Sequence, residues 1–171
     1  MSQPETVQRL LDKQSITEVL HRYSRGVDRC DRAILATVYW PDAEDDHILF
    51  QGGGDALLDY LVGAVQGMHT AHRVSNILID FDDADRARVE SYVWAYHNVP
   101  VASGREDVVF GGRYFDQFER RDGEWRIAKR RVIMDYFQRQ PAASDLGVFG
   151  SLEITGGHHP ADPLYSWVRR S

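Results

Sequence analysis

A change in the spacing of the apolar residues, close to position 70, constrains this chain more than any other feature of its sequence. From Glu5 to about Arg25, large apolar residues recur at three- and four-residue steps, the period of an amphipathic helix. The segments rich in Val, Ile, Tyr, Phe and Trp come later, as strands would: Arg73 to Phe81, Arg86 to His97, Asp107 to Arg120 and Glu124 to Phe137. Helices followed by an antiparallel meander predict an α+β fold.

Shorter elements are expected between the first helix and the strands. In chain order they are a second helix over Asp31–Tyr39, an acidic loop over Pro41–Asp46, a short strand over His47–Phe50, a glycine-rich break over Gln51–Gly54 and a third helix over Asp55–Met68. The dipeptide Asp122-Gly123 is typical of a two-residue hairpin turn. It predicts that the last two strands pair with each other.

Charge and composition exclude several classes of protein. The chain has 171 residues, with 20 Lys and Arg against 26 Asp and Glu, and its net charge of −6 argues against a general nucleic-acid binder. No apolar run approaches the roughly 18–20 residues that span a bilayer, and the N-terminus lacks the layout of a signal peptide. The single cysteine, Cys30, forms no internal disulfide. We expect a cytoplasmic protein without a membrane partner.

The last part of the chain departs from the strand pattern. Residues 1–137 are expected to form one α+β domain, and residues 138–171 a C-terminal extension. That extension is rich in Gly and Pro but carries large apolar residues, including Leu164, Tyr165 and Trp167. Because exposing such groups is unfavourable, we expect it to dock on the domain or on a neighbouring subunit. Whether it acts as a lid or as a clasp between subunits is open.

Few residues have the pattern of a known catalytic centre. The chain lacks the nucleophile elbow, the phosphate-binding loop and the dinucleotide fingerprint, and Gly52-Gly53-Gly54 is typical of a turn before a helix. The spacing of His69 and His72 would suit a metal on a helix, but no supporting third ligand stands nearby, and on a strand the two point to opposite faces. We therefore expect neither a metal nor a cofactor.

Asp28 and His72 are the pair best suited to acid–base chemistry. A carboxylate that accepts the Nδ1 proton of a histidine fixes its tautomer and stabilises the imidazolium, so that Nε2 becomes a general base. Asp28 stands near the end of the first helix and His72 near the start of a strand, 44 positions later. Alternatively, Asp28 and Asp31 are helix-capping residues ahead of Ile34.

Three runs of sequence resemble the SnoaL-like branch of the nuclear-transport-factor-2-like superfamily. They are Ile16 to Asp31 (ITEVLHRYSRGVDRCD), His69 to Asn76 (HTAHRVSN) and Gly111 to Ile127 (GGRYFDQFERRDGEWRI), and the resemblance extends over about residues 5–137. It implies a cystatin-like cone, in which a curved antiparallel sheet wraps around the N-terminal helices and one deep apolar pocket. It also implies a homo-oligomer, a trimer first and a dimer second.

The resemblance also implies roles for individual residues. Lyases of this branch place an Asp–His dyad in the cone, which corresponds to Asp28 and His72, and one of its dehydratases carries a pocket tyrosine at the position of Tyr23. An arginine on the last strand is a further candidate, and of Arg130, Arg131 and Met134 we take Arg131. The expected substrate-binding wall is otherwise aromatic and consists of Tyr39, Trp40, Phe50, Trp94, Tyr96, Phe110 and Tyr114.

The expected function is that of a cofactor-independent lyase of the dehydratase or dehydrohalogenase type. His72 would remove a proton from a carbon of a small hydrophobic, cyclic substrate, Asp28 would stabilise the resulting charge, and Tyr23 would bind the leaving group or an activating carbonyl. An isomerase or cyclase with the same dyad is one alternative. A non-catalytic binding or assembly protein is another, because one fold serves many functions.

Overall fold

The computed structural model describes residues 7–143 and 155–168, and their order of elements is that of an α+β protein. The elements are α1 (Val7–Asp28), α2 (Arg32–Leu35), β1 (Tyr39–Asp46), β2 (Gln51–Gly53), α3 (Gly54–Ala64), β3 (His69–Phe81), β4 (Arg86–Val101), β5 (Gly104–Arg121), β6 (Glu124–Pro141) and α4 (Pro163–Val168). The strands form one curved sheet in the order β2-β1-β6-β5-β4-β3. The predicted fold class is confirmed.

The core lies between the helices and one face of this sheet. Helix α1 contributes Ile16, Val19 and Leu20, which are almost completely buried against strand residues such as Phe118 and Ile127. Helix α3 adds an apolar face made of Leu57, Leu58 and Leu61. In the part of the chain that the structure describes, none of the helices combines the length and apolarity needed to cross a membrane.

The long strands follow the predicted meander and exceed its expected bounds. Strand β3 already begins at His69, and β6 continues to Pro141, which pairs with Glu106. The turn between β5 and β6 is confirmed at Asp122-Gly123, where both residues have positive φ angles, of 51° and 82°. These are the signs of φ that a two-residue hairpin turn of type I′ requires.

The region between α1 and α3 differs from the expectation. The acidic run, which we expected to be a loop, is strand β1, and it pairs in parallel with β6. Opposite charges favour this pairing, because Glu44 lies beside Lys129, with Oε2 and Nζ 3.0 Å apart. The expected second helix is only the single turn α2, since the chain becomes extended at Tyr39. The segment His47–Phe50 is the turn between β1 and β2, where the His47 amide donates to the Phe50 carbonyl.

The described end of the C-terminal extension lies against the far end of α1. The Tyr165 hydroxyl donates to Asp31 Oδ2 at 2.7 Å, and the His159 amide donates to the Arg29 carbonyl. Asp162 is buried and pairs with Arg29, with Oδ2 3.2 Å from Nε. The described end of the extension therefore contacts the chain's own helices through His159, Asp162 and Tyr165, but Trp167, which was expected to dock, is 75% exposed. The apolar residues expected to dock between positions 144 and 154 lie outside the described residues.

A bulge in the pairing of β5 with β6 bends the sheet. Gly111 pairs with Tyr136 but Gly112 pairs with Met134, so that Asp135 is the extra residue. A bulge of this kind bends its strand and increases the local twist. A Cβ on Gly112 would lie 2.0 Å from the Ile133 carbonyl oxygen, a backbone atom that cannot rotate away. Glycine is therefore required for the bend.

We predict that Gly112→Ala lowers the free energy of unfolding by about 1–3 kcal/mol, the usual cost of overpacking, because the backbone must move to admit the methyl group. Urea unfolding would measure this. Gly63→Ala in α3 is the matched control, since no heavy atom would contact its Cβ, and it should leave the protein equally stable or more stable. Equal stability of wild type and Gly112→Ala would contradict the prediction.

Candidate active site

A cavity of about 360 Å³ opens between α1, α3 and the concave face of the sheet. Most of its wall is aliphatic or aromatic, and the apolar residues include Val27, Leu61, Val65, Met68, Ala95, Val99, Val108, Phe110, Val132, Met134 and Phe137. The residues with a titratable or hydroxyl group are Tyr23, His47, Tyr60, His72, His97 and Tyr114. A mostly apolar cavity with a few polar groups is the usual form of a small-molecule site.

Asp28 and His72 meet at the wall of this cavity. Asp28 is the last residue of α1, and its Oδ1 lies 2.7 Å from His72 Nδ1. The His72 amide donates to Oδ2 at 2.9 Å and the Thr70 hydroxyl donates to Oδ1 at 2.8 Å. The hydrogen bond predicted between the two side chains is therefore present. The alternative cap is instead Asp31, which accepts from the Ile34 amide at the start of α2.

The surroundings of Asp28 keep it ionised. Burial alone would raise its pKa, but the hydrogen bonds and charge of His72 and the Thr70 hydroxyl outweigh burial and lower the pKa below its ordinary value. Both side chains are shielded from water, with 7% of His72 and 13% of Asp28 exposed. Because Asp28 accepts at Nδ1, His72 Nε2 is left as the nitrogen that can accept a proton.

A second imidazole that the sequence analysis missed lies beside His72. The rings of His72 and His97 meet edge to face, with centroids 5.3 Å apart. Burial, with the neighbouring His72 as a smaller cause, lowers the pKa of His97 to about 4, so His97 is neutral at physiological pH. The signal was in the sequence: Val89, Ser91, Val93 and Ala95 share a face of β4, and one more step of two reaches His97.

Tyr23 presents a buried hydroxyl beside the hydroxyl of Tyr114. It is 1% exposed, and within the described residues its oxygen makes no hydrogen bond of ordinary geometry, although the Tyr114 hydroxyl is close enough to contribute to its pKa. Its ring lies edge-on to that of His72, with centroids 6.5 Å apart. Burial raises the pKa of Tyr23 well above its usual range, so the phenol is a donor at neutral pH. A buried donor whose hydrogen bond is poorly made is costly, and a bound ligand would reduce that cost.

Arg130, not Arg131, is the buried arginine of the last strand. Arg130 Nε and Nη2 donate to the two carboxylate oxygens of Asp116 at 2.8 and 2.7 Å, and both side chains are completely buried. The expected residue, Arg131, points to the other side of β6, where it is 67% exposed and faces Asp46. The two faces of a strand alternate, so an error of one position moved the prediction to the wrong face.

The expected aromatic wall is only partly present. Phe110 and Tyr114 line the cavity. Phe50 stands behind Tyr60, with stacked rings 4.6 Å apart, and Tyr39 stands behind Tyr23, with centroids 6.2 Å apart. These two side chains therefore support residues of the wall and do not form it.

Three of the expected wall residues lie elsewhere, which corrects the prediction. Since Ala95 and His97 face the cavity, Trp94 and Tyr96 face away from it, where they stack on each other. Trp40 donates from Nε1 to the Glu119 carbonyl outside the cavity. Aromatic character alone carried these predictions, whereas the direction of the side chain decides whether it reaches a ligand.

A second Asp–His contact lies on the cavity wall. His47 lines the cavity, and its Nδ1 is 3.2 Å from Asp45 Oδ1. The Asp45 side chain is completely buried and also accepts a hydrogen bond from the Tyr39 hydroxyl at 2.8 Å. This contact was missed because Asp45 was expected in an exposed acidic loop.

Side chains that commonly bind metals do not cluster in sufficient number in the described part of the chain. Across residues 7–143 and 155–168, no three His, Cys, Asp or Glu side chains are grouped as a metal site would require. His69 is exposed at the start of β3 while His72 faces the cavity. These two histidines therefore do not share a ligand.

Comparisons with known proteins agree in the family they indicate. The model of a SnoaL-like domain matches residues 8–131. Hexachlorocyclohexane dehydrochlorinase 1 of Sphingobium indicum is 28% identical over 133 residues, 75% of this chain and 85% of that protein. The crystal structure of a type 2 hexachlorocyclohexane dehydrochlorinase matches with a TM-score of 0.71 at 26% identity, over 81% of this chain and 94% of that one. A candidate scytalone dehydratase of Novosphingobium aromaticivorans gives 0.69 at 28% identity, over 82% and 94%.

We predict that Asp28→Asn destabilises the protein in a pH-dependent way. The folded pKa of Asp28 lies below its ordinary value of 3.8, so its stabilising effect is full above that value and is lost as the pH falls through the folded pKa. Near neutral pH the loss should be about 1.5–3 kcal/mol, the range for hydrogen bonds to a charged group. Urea unfolding of the wild type and of Asp28→Asn at a series of pH values would measure this difference in the free energy of unfolding.

Asp122→Asn is the matched control, because Asp122 is an exposed carboxylate in a hairpin turn. Its backbone has a positive φ angle, which asparagine also tolerates. The difference between wild type and Asp28→Asn should shrink at acid pH, and the control should track the wild type throughout. A difference that stays constant from neutral to strongly acid pH would contradict the assignment of a lowered pKa.

Proposed function

This chain belongs to the SnoaL-like domain family, and on that premise we propose that it is a lyase that eliminates water or hydrogen halide from a small hydrophobic, cyclic substrate. The observation that carries the proposal is the 2.7 Å contact between Asp28 and His72 on the wall of an apolar cavity. The dehydrochlorinases among its relatives support the same class of reaction.

In the proposed reaction, His72 is the general base. Nε2 accepts a proton from a carbon of the substrate, the electrons of that bond form a double bond, and the leaving group departs from the neighbouring carbon. The Asp28 carboxylate stabilises the imidazolium that results. General-base catalysis of this kind contributes about 10²–10⁴-fold, so orientation in the cavity and exclusion of water must supply the rest.

Tyr23 is proposed to contact the substrate oxygen or halogen that gains negative charge. Its phenol stays protonated at neutral pH, it makes no hydrogen bond of ordinary geometry within the described residues, and it stands beside His72. A pre-positioned donor of this kind stabilises charge that develops in the transition state. Phe110 and Tyr114 are proposed to contact the ring of the substrate.

The cavity favours a small, neutral substrate. Its wall is mainly apolar, and the buried cation beneath it, Arg130, is already neutralised by Asp116. A charged substrate would lose its hydration without gaining a partner, which is costly. A volume of about 360 Å³ is at the lower end of ligand-binding cavities.

An isomerase or cyclase is the second candidate, and His97 is the observation that favours it. Its neutral imidazole, 5.3 Å from His72 between ring centroids, is a second polar group that can hydrogen-bond an intermediate while His72 returns the proton to another carbon. Incubating the protein with halogenated and hydroxylated cyclic ketones, and measuring the products by mass spectrometry, distinguishes the candidate functions. Elimination removes the mass of water or hydrogen halide, isomerisation leaves the mass unchanged, and a binding protein converts none of them.

We also propose that the chain forms a homo-oligomer, with a trimer preferred to a dimer. Assembly would cover the outer face of the sheet, where Tyr92 and Phe115 are about half exposed.

For the C-terminal extension we propose the role of a lid over the cavity. A contact at the cavity rim favours it: His158 Nε2 lies 3.0 Å from the carbonyl oxygen of Met68, which lines the cavity. The described part of the extension around His158 would then help to exclude water during proton transfer.

We predict that His72→Gln lowers kcat/KM by about 10²–10⁴-fold for a substrate that undergoes elimination, because glutamine cannot act as the base. His69→Gln is the matched control, since it removes an exposed histidine from the same strand and should leave kcat/KM unchanged. Steady-state kinetics on both variants would test this. Full activity of His72→Gln would overturn the proposed mechanism.

We predict that Tyr23→Phe separates stability from activity. Removing a buried hydroxyl that makes no hydrogen bond of ordinary geometry should change the free energy of unfolding by less than about 1 kcal/mol, since at most a weak contact with the Tyr114 hydroxyl is lost. Turnover should fall by about 10²–10³-fold, as for other charge-stabilising donors. Urea unfolding and steady-state kinetics on the same preparation would measure the two effects, and unchanged turnover would remove Tyr23 from the mechanism.

A further inference from the structure

The cavity holds two histidines that each turn Nδ1 toward a carboxylate. One is His72, whose partner is Asp28, and the other is His47, whose Nδ1 lies 3.2 Å from Asp45 Oδ1. Asp45 is shielded from water: its side chain is completely buried, and its second oxygen accepts a hydrogen bond from Tyr39. His47 itself is 21% exposed and lines the cavity, so its Nε2 is the nitrogen left for a ligand.

The two imidazoles come from distant parts of the sheet. His72 lies on β3, at one edge, whereas His47 follows β1, and β6, β5 and β4 lie between those strands. Both line the same cavity because the sheet is curved. Around His47 the structure places Tyr60 of α3, with ring centroids 6.1 Å apart, and the apolar residues Ile48 and Leu49 of its own turn. A ligand in the cavity therefore has an imidazole from each of two separate walls.

Elimination of a hydroxyl group requires a second catalytic group that elimination of a halide does not. Chloride leaves as an anion, but hydroxide is a poor leaving group and must be protonated as the bond to carbon breaks. His97 is poorly suited to that task, because its pKa of about 4 leaves it without a spare proton at neutral pH. Tyr23 holds its proton tightly, since burial raises its pKa. His47 is better placed for that task, because its Nδ1 faces the buried Asp45 carboxyl group and its Nε2 is open to the cavity.

We propose that His47, held by Asp45, is the general acid that protonates a leaving hydroxyl group, so that the substrates of this site include cyclic ketones with a hydroxyl at the β carbon. The inference deepens the proposed function and rests on it. His72 Nε2 takes the proton from the α carbon, the carbon–oxygen bond breaks, and the Nε2 proton of His47 passes to the departing oxygen to give water. His72 ends protonated and His47 neutral, and exchange with water restores both.

The test compares two leaving groups on one ring. The probes are β-hydroxycyclohexanone and β-chlorocyclohexanone, which give the same cyclohexenone, and ring-fused analogues of each pair extend the series. His47→Gln retains a polar group near the position of Nε2, whereas His47→Asn retains a donor near the position of Nδ1 that faces Asp45. Neither side chain can transfer a proton. Each of the two hydrogen-bonding positions of the His47 ring is therefore retained in one of the two variants.

We expect both variants to lower kcat/KM for the hydroxy ketone by about 10²–10⁴-fold while changing it less than about threefold for the chloro ketone. His69→Gln should change neither. The inference is overturned if the wild type converts the chloro ketones but no hydroxy ketone, if both substrates slow equally, or if neither slows. A wild type that converts neither the hydroxy ketones nor the chloro ketones overturns the proposed function itself. If one variant loses both activities and also its thermal unfolding transition, it is unfolded, and the other variant decides the test.

Discussion

The centre of the molecule depends on the ion pair of Arg130 with Asp116. The guanidinium lies between the rings of Tyr23 and Tyr114, with Cζ 4.1 Å from each ring centroid, and Nη1 donates to the Tyr39 hydroxyl at 3.3 Å. It therefore joins α1, β1, β5 and β6 beneath the cavity. Removing one partner of such a pair leaves a buried charge and costs about 3–5 kcal/mol. The cavity floor is rigid because its aromatic residues are fixed to this cation from below.

Asp28 shows how the fold keeps a carboxylate where it is unfavourable. A negative charge at the C-terminal end of a helix faces the negative end of the helix dipole. The start of β3 compensates for this with two hydroxyl and amide donors, from Thr70 and His72, besides the imidazole. A carboxylate that is strongly solvated by protein donors, and hardly by water, stabilises an imidazolium without needing water to reorganise. Helix end and strand start thus form one electrostatic unit.

Periodicity predicted most of the fold, because α1 and the four long strands bury one face each and repeat their apolar residues accordingly. Strand β1 escaped prediction, since its pairing depends on charges such as Lys129 that are distant in the sequence. At the site, the Asp28–His72 contact was predictable from resemblance. The direction in which a side chain points was not predictable from its residue type. For this reason Trp94 was placed in the wall of the cavity and Arg131 was preferred to Arg130. His97 and His47 were missed. The errors at Trp94, Arg131 and His97 are resolved by knowing which face of a strand points inward, whereas His47 lies in the turn that follows β1.

The parallel pairing of β1 with β6 has a consequence for how the chain reaches this structure. Tyr39 and Arg130 are 91 positions apart, and the contacts that join their strands can form only after almost the whole domain has been synthesised. Closing so large a loop is entropically costly and favours slow folding. Until the last strand emerges from the ribosome, the acidic edge of β1 remains unpaired on that side, and its charge discourages pairing with other nascent chains. The acidic residues that made β1 hard to recognise would thus protect it from aggregation during synthesis.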